Sequence, residues 1–94
     1  MELTISTTAD NGHMMSLLID SQGRTLLTVR DTQTKKTLLM PGERYTIQWT
    51  VWSPFPAQYS FTANMEPALP GFPIVFSHQF DEAKKTSGIE VLQA

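Results

Sequence analysis

Apolar and polar residues alternate along most of the chain with a period of two, which is typical of half-buried β-strands. Turn-forming residues separate the alternating segments at intervals of about 8 to 12 residues, a spacing typical of sandwiches and barrels. The pattern predicts an all-β fold, an antiparallel two-sheet sandwich of about eight short strands. The predicted strands are residues 3–6, 13–19, 24–30, 37–40, 44–53, 57–64, 74–80 and 89–92.

The segments between these strands are rich in residues that favour turns. Residues 10–12 read Asp-Asn-Gly, and Asn and Gly tolerate the positive φ that tight hairpins need. Residues 31–36 are polar, which predicts a connection between strands. Residues 81–87 are short and charged, which predicts a connection that is long enough to contain one helical turn and that ends at Gly88. Residues 65–73 contain three prolines and predict a stiff loop.

The clearest predicted strand is residues 44–53, and it is apolar on one entire face. Trp52 belongs to the opposite, mixed face, and Pro54-Phe55-Pro56 is expected to interrupt the strand because proline cannot donate to the ladder. Residues 46–52 carry no charge, so this strand should be central in its sheet or covered by a partner. The residues expected to face the core are Tyr45, Ile47, Trp49 and Val51.

Residues 39–49 read Leu-Met-Pro-Gly-Glu-Arg-Tyr-Thr-Ile-Gln-Trp. This segment resembles the tyrosine corner of fibronectin-type-III-like and immunoglobulin-like sandwiches, whose pattern is Leu-x-Pro-Gly-x-x-Tyr-x-aliphatic-x-apolar. The resemblance implies that Pro41-Gly42 turns the chain between the sheets, and that Tyr45 buries its ring while its hydroxyl bonds an upstream backbone group. It implies an immunoglobulin-like sandwich and no particular function. Three predicted strands follow the segment, whereas two follow the corner in fibronectin-type-III-like domains.

Composition narrows the classes of function. The chain of 94 residues fits a single domain, 1–94, and an apolar fraction of 40% favours a folded core over disorder. The sequence has no cysteine, which excludes disulfides and thiolate chemistry and favours a reducing compartment. A net charge of −2 with dispersed Lys and Arg predicts no nucleic-acid partner. The first residues are unlike a signal peptide and no segment approaches about 20 apolar residues, which predicts a cytoplasmic protein without a membrane partner.

The residue types that carry chemistry form no recognisable motif. His13 and His78 lack the spacing of a metal-binding pair, and most carboxylates stand at turns, where they need no function. We expect His13 to be exposed after its turn, and His78 to occupy an inner or edge position beside Phe76 and Phe80. No phosphate-binding loop, nucleophile elbow or paired-acid motif is present. The sequence therefore predicts no catalytic residue, no metal and no cofactor.

The strongest positive signal is a set of large apolar side chains in or beside two proline-rich segments. Trp and Tyr dominate the hot spots of protein interfaces, and proline-stiffened loops present side chains at a small ordering cost. The same side chains would otherwise cap the core, as large aromatic residues often do. The predicted partner-binding residues are Trp52, Phe55, Tyr59, Leu69 and Phe72.

These observations favour a non-enzymatic protein-binding β-sandwich, which would be an accessory subunit, an adaptor or a component of a homo-oligomeric assembly. The alternative to protein binding is a carbohydrate-binding module, in which exposed aromatic rings share one platform with amide groups. That platform would combine Trp52, Tyr59 or Phe72 with Gln58 or Asn64. The third hypothesis is an enzyme, which would need His13 or His78 in a pocket beside a carboxylate.

Overall fold

The computed structural model describes residues 1–53 and 55–94, and this part of the chain forms eight β-strands. Pro54, which was expected to interrupt a strand, lies outside the described residues. The predicted all-β fold with two antiparallel sheets is confirmed. The strands are β1 (Glu2–Asp10), β2 (His13–Ile19), β3 (Thr25–Arg30), β4 (Gln33–Leu38), β5 (Arg44–Ser53), β6 (Ala57–Glu66), β7 (Ile74–Phe80) and β8 (Lys84–Gln93).

The strands form two four-stranded sheets that pack face to face. The first sheet has the order β4-β1-β6-β7, and the second has the order β3-β2-β5-β8. The ammonium group of Lys35 on β4 donates a hydrogen bond to the carbonyl of Thr28 on β3 at 2.7 Å, so β3 and β4 share one lateral side of the sandwich. The edge strands β7 and β8 therefore share the other side. β5, whose residues 46–52 carry no charge, is central, between β2 and β8, which is one of the two arrangements its sequence predicted.

The core lies between the sheets and is built from the inward-facing residues of the central strands. Leu3 and Ile5 on β1 and Ile47 on β5 are completely buried. Tyr45 and Val51 are buried as well, as the alternation of β5 predicted. The fourth residue of that face, Trp49, is only partly buried, because it lies towards the lateral side where β7 and β8 form the edges.

Two segments predicted to be connections belong to edge strands. Residues 33–36 are part of β4, which pairs with β1; they are all exposed, so no alternation of burial marks them. Residues 84–87 are extended in β8 rather than helical, and Gly88 continues that strand instead of breaking it. Gly88 lies opposite Trp49 of β5, whose indole occupies the space that a side chain would need.

The corner at residues 39–45 has the contact that the local pattern implied. The ring of Tyr45 is buried, and its hydroxyl accepts a hydrogen bond from the backbone N–H of Met40 at 2.9 Å. Gly42 has a φ of 85°, a left-handed conformation that glycine adopts without a steric penalty. Three strands follow β5, as expected. The resemblance to a particular sandwich family stays a prediction.

The described residues include no helix with the length and apolarity required for a membrane span.

The carboxylate of Asp20 organises the turn between β2 and β3. Its Oδ1 accepts hydrogen bonds from the backbone N–H groups of Gln22 and Arg24, both at 2.9 Å, and its Oδ2 accepts one from Arg24 Nε at 2.8 Å. The backbone N–H of Arg24 is the main reason that the pKa of Asp20 lies below its ordinary value. The N–H of Gln22 and the guanidinium of Arg24 act in the same direction.

Acidification should therefore weaken the hydrogen bonds that hold this turn. Because the folded-state pKa of Asp20 is lowered, its stabilising effect is complete above the ordinary Asp pKa and disappears as the pH falls through the lower folded value. We expect the amide resonances of Gln22 and Arg24 to shift together in that acid range in an NMR titration. Asp20→Asn is the control, because it removes the titrating group. Amide resonances that do not respond in the wild type would contradict the assignment.

Candidate functional site

The predicted partner-binding residues do not lie on one surface. Trp52 points outwards from the second sheet, and Phe55 is 64% exposed in the connection between β5 and β6. Leu69 and Phe72 are half-buried against the core in the loop between β6 and β7. That loop and the β5–β6 connection lie at opposite ends of β6, which at ten residues is about 30 Å long. Trp52 and Phe55 therefore lie near one end of β6, and Leu69 and Phe72 lie near the other.

Tyr59, one of the predicted partner-binding residues, lies in the core. Its side chain is 2% exposed, its ring packs against Phe80 with the centroids 5.4 Å apart, and its hydroxyl donates to the carbonyl of Trp52 at 2.8 Å. Tyr59 shares the inward face of β6 with Phe61 and Ala63, both completely buried. Its hydroxyl fixes the backbone beneath Trp52, so its contribution to any surface there is indirect.

The outer faces of the two sheets differ in chemistry. The outer face of the first sheet carries mainly hydroxyl and amide side chains, including Thr4, Ser6, Thr8, Ser60, Thr62 and Asn64. The outer face of the second sheet carries six large apolar side chains, which we call the apolar face. These residues are Met15, Leu17 and Ile19 on β2, Trp52 on β5, and Ile89 and Val91 on β8.

Strand register determines how the apolar face is arranged. On the outer side of β5, Thr46, Gln48 and Thr50 form a polar row between the apolar residues of β2 and those of β8. Ile89 and Val91 are 61% and 62% exposed, because β8 is an edge strand. The apolar residues of β2 and those of β8 therefore form two separate stripes, with the polar row of β5 between them. This composition suits a partner that buries apolar side chains and also needs polar contacts.

Trp52 is held at one end of the apolar face by a polar pair. Its indole stacks on the imidazole of His13, with the centroids 5.6 Å apart and the planes at 29°. His13 Nδ1 lies 3.4 Å from Asp31 Oδ1, and the same carboxylate oxygen accepts a hydrogen bond from the N–H of Met14 at 3.0 Å. A shallow depression next to this stack is lined by Met15, Thr50, Trp52 and Lys85.

The two histidines occupy the kinds of position predicted for them. The side chains of His13 and its carboxylate neighbour, Asp31, are 59% and 51% exposed, so this pair lies on an open surface. His78 is half-buried on the inward face of β7, with its ring 5.3 Å from Trp49 and 5.4 Å from Phe76. Within residues 1–53 and 55–94, no group of three or more His, Cys, Asp or Glu residues is placed to hold a metal ion.

The structure does not bring Trp52 together with the other residues proposed for a carbohydrate-binding platform. Gln58 and Asn64 point outwards from the first sheet, whereas Trp52 points outwards from the second. Tyr59 is buried between the sheets, and Phe72 lies at the opposite end of β6 from Trp52.

Of the six residues of the apolar face, Trp52 alone was among the predicted partner-binding residues. One signal was available in residues 13–19, His-Met-Met-Ser-Leu-Leu-Ile, where apolar side chains occupy nearly every position. A strand that is apolar on both faces is buried on both sides or presents one face to a partner. Ile89 and Val91 alternate with Gly88 and Glu90, and only the sheet order shows that they join the same surface.

Comparisons of the chain with protein-family models, with curated proteins and with solved structures find no match.

Proposed function

We propose that this protein is a non-enzymatic β-sandwich that binds another protein through the apolar face of its second sheet. One observation carries the proposal: the outer face of the first sheet carries mainly hydroxyl and amide groups, with Leu38 and Val75 as exposed apolar residues, whereas that of the second carries six large apolar side chains, two of them exposed. Antiparallel sheets commonly expose one face to water, and that face is then polar. Larger exposed apolar patches mark interaction sites. The role is that of an accessory subunit, an adaptor or a component of an assembly.

Trp52 is the anchor of the proposed interface. Tryptophan is enriched among interface hot spots, and a side chain that is already ordered loses little entropy on binding. The stacking on His13 and the hydrogen bond from Tyr59 to the Trp52 carbonyl order both the ring and its backbone. Phe55 extends the interface beyond the end of β5. Its N–H donates to Ser53 Oγ at 3.0 Å, and that hydroxyl donates to the Phe55 carbonyl at 2.6 Å.

The charges around the apolar face give the interface a polar rim. Arg30 of β3 lies opposite Met15 of β2, and Lys85 of β8 lies opposite Trp52 of β5. Their long apolar stems cover neighbouring surface while the charged groups stay in water. A partner that places carboxylates around an apolar centre would complement this arrangement.

Replacing Trp52 with serine should remove binding without unfolding the protein. We expect a partner enriched from native cell extract by the wild type to be recovered at least about tenfold less by Trp52→Ser, because hot-spot truncations cost about 2 kcal/mol or more. The measurement is a tagged pull-down with quantitative mass spectrometry, and circular-dichroism melting checks that the variant is folded.

The matched control is Val75→Ser, which removes a 65% exposed apolar side chain from the outer face of the first sheet. This variant should retain the partner. Equal loss of the partner with both variants, or full retention with Trp52→Ser, would count against the apolar face as the binding surface.

A further inference from the structure

The free edge of β8 is a second surface, distinct from the apolar face. Within the described chain, β8 pairs with β5 alone, so its other edge presents N–H and C=O groups to solvent. Unpaired edges are templates for pairing with another chain, and natural proteins commonly keep them very short or otherwise protected. At ten residues, β8 is one of the longest strands of the fold. Its length alone makes it suitable for strand addition.

Three charged residues mark the edge: Lys84, Lys85 and Glu90. All three are exposed, and charges on an edge oppose pairing with an uncharged strand. Lys84 and Glu90 have the same orientation, since both pair with inward-facing residues of β5, whereas Lys85 lies on the outer face opposite Trp52. The Lys84 ammonium lies 5.3 Å from the centre of the Phe80 ring.

We propose that a second copy of this chain adds along β8 in the antiparallel direction, with a two-fold axis at Ser87, to form one continuous eight-stranded sheet. In this arrangement Lys84 stands directly opposite Glu90 of the second copy, and symmetry repeats the pair on the other side of the axis. The charges that oppose pairing with an uncharged strand therefore favour pairing with the β8 strand of a second copy. Opposite charges that face each other across a strand pair stabilise the pairing.

Charge and symmetry together select this register. A two-fold axis perpendicular to the sheet pairs residues of the same face, so it must pass through a residue of β8 and not between two residues. An axis at Lys85 or at Glu90 would place like charges opposite each other. An axis at Thr86, Gly88 or Ile89 brings no opposite charges together. Within residues 85–90, Ser87 alone gives the paired charges.

The residues near the axis leave room for close approach. Ser87 faces Ser87 of the second copy, and Thr86 faces Gly88 of the second copy, so the centre of the contact carries only small side chains. On the outer face, Lys85 stands opposite Ile89 of the second copy, and its apolar stem can cover the 61% exposed side chain. The contact also brings the uncharged β7 of each copy towards the interface, because β7 and β8 share one lateral side.

The proposal goes beyond the docking function and does not depend on it. The two-fold axis is perpendicular to the second sheet, so the apolar faces of both copies point in the same direction. A dimer of this kind would present two docking faces side by side, and a partner with two matching sites would bind it more tightly than a monomer.

The experiment is a charge-swap cycle measured by sedimentation equilibrium. We expect the wild type to dimerise and the single variants Lys84→Glu and Glu90→Lys to weaken the dimer dissociation constant by about 30-fold or more, since each reverses two cross-strand pairs. The double variant Lys84→Glu with Glu90→Lys exchanges the charges and should restore the dimer to within about threefold of the wild type.

Two controls separate this interface from other causes. Arg30→Glu makes the same charge change on β3, the edge strand at the other end of the second sheet, and it should leave the dimer intact. Trp52→Ser should dimerise normally, which separates the edge contact from the docking face. A wild type that stays monomeric up to about 1 mM, or a double variant that remains dissociated while folded by circular dichroism, would overturn the proposal.

Discussion

Replacing Phe61 with alanine is expected to destabilise the protein by about 3–5 kcal/mol, a large part of the about 5–15 kcal/mol that holds a small domain together. Phe61 is completely buried on β6, a central strand of the first sheet. Its ring stacks on Phe76 with the centroids 4.7 Å apart and the planes at 6°. Truncation therefore leaves a cavity in the middle of the core and removes an aromatic contact that anchors β7.

Urea denaturation followed by circular dichroism measures this loss. Val75→Ala is the matched control, because Val75 is 65% exposed on β7 and pairs with Thr62, the neighbour of Phe61. We expect the control to change the free energy of unfolding by about 0.5 kcal/mol or less. Similar losses for the two variants would show that burial on β6 does not dominate stability.

Replacing Gly12 with alanine should cost about 2–4 kcal/mol, although the change adds only one methyl group. A Cβ at this position would lie 2.8 Å from Cζ and closer still to the hydroxyl of Tyr59, and 3.0 Å from Cβ of Ser53. Tyr59 cannot move away freely, because it is buried and its hydroxyl is bonded to the carbonyl of Trp52. The added methyl group therefore strains the core and disturbs that hydrogen bond.

A double-mutant cycle with Tyr59→Phe tests the cause. Removing the hydroxyl removes the atom closest to the new methyl group, so Gly12→Ala should cost clearly less free energy of unfolding in that background. Chemical denaturation of the four proteins gives the coupling energy. If the two changes were additive, the cost at Gly12 would have to come from its backbone conformation and not from contact with Tyr59.

The sequence predicted best those strands with one face on the core. In β5, Tyr45, Ile47 and Val51 alternate with exposed or half-buried residues, and burial makes that alternation visible. β4 and the first part of β8 lack this signal, because they are edge strands with few buried side chains. Their conformation comes from backbone pairing with β1 and with β5, which are distant in sequence. The alternation of apolar and polar residues within one segment does not indicate such long-range pairing.

The candidate site was predictable to the extent that it depends on a single strand. Trp52 stands on the outer side of β5, and the alternation around it placed it there. The rest of the apolar face depends on which strands flank β5, and that is a property of the sheet order. Tyr59 differs from Trp52, because it alternates along β6 with outward-facing polar residues and lies with Phe61 on the face that forms the core.

The sheet order also determines when each half of the sandwich can form as the chain is synthesised. β1 is made first, but its partners are β4 and β6, and Glu2 pairs with Glu66. The second sheet can start from the local pair of β2 and β3. The first sheet lacks its central strand β6 until more than half of the chain has been synthesised. Non-local pairing of this kind slows folding. The nascent chain therefore carries β1, with its core residues Leu3 and Ile5, without a partner strand for longer than any other strand.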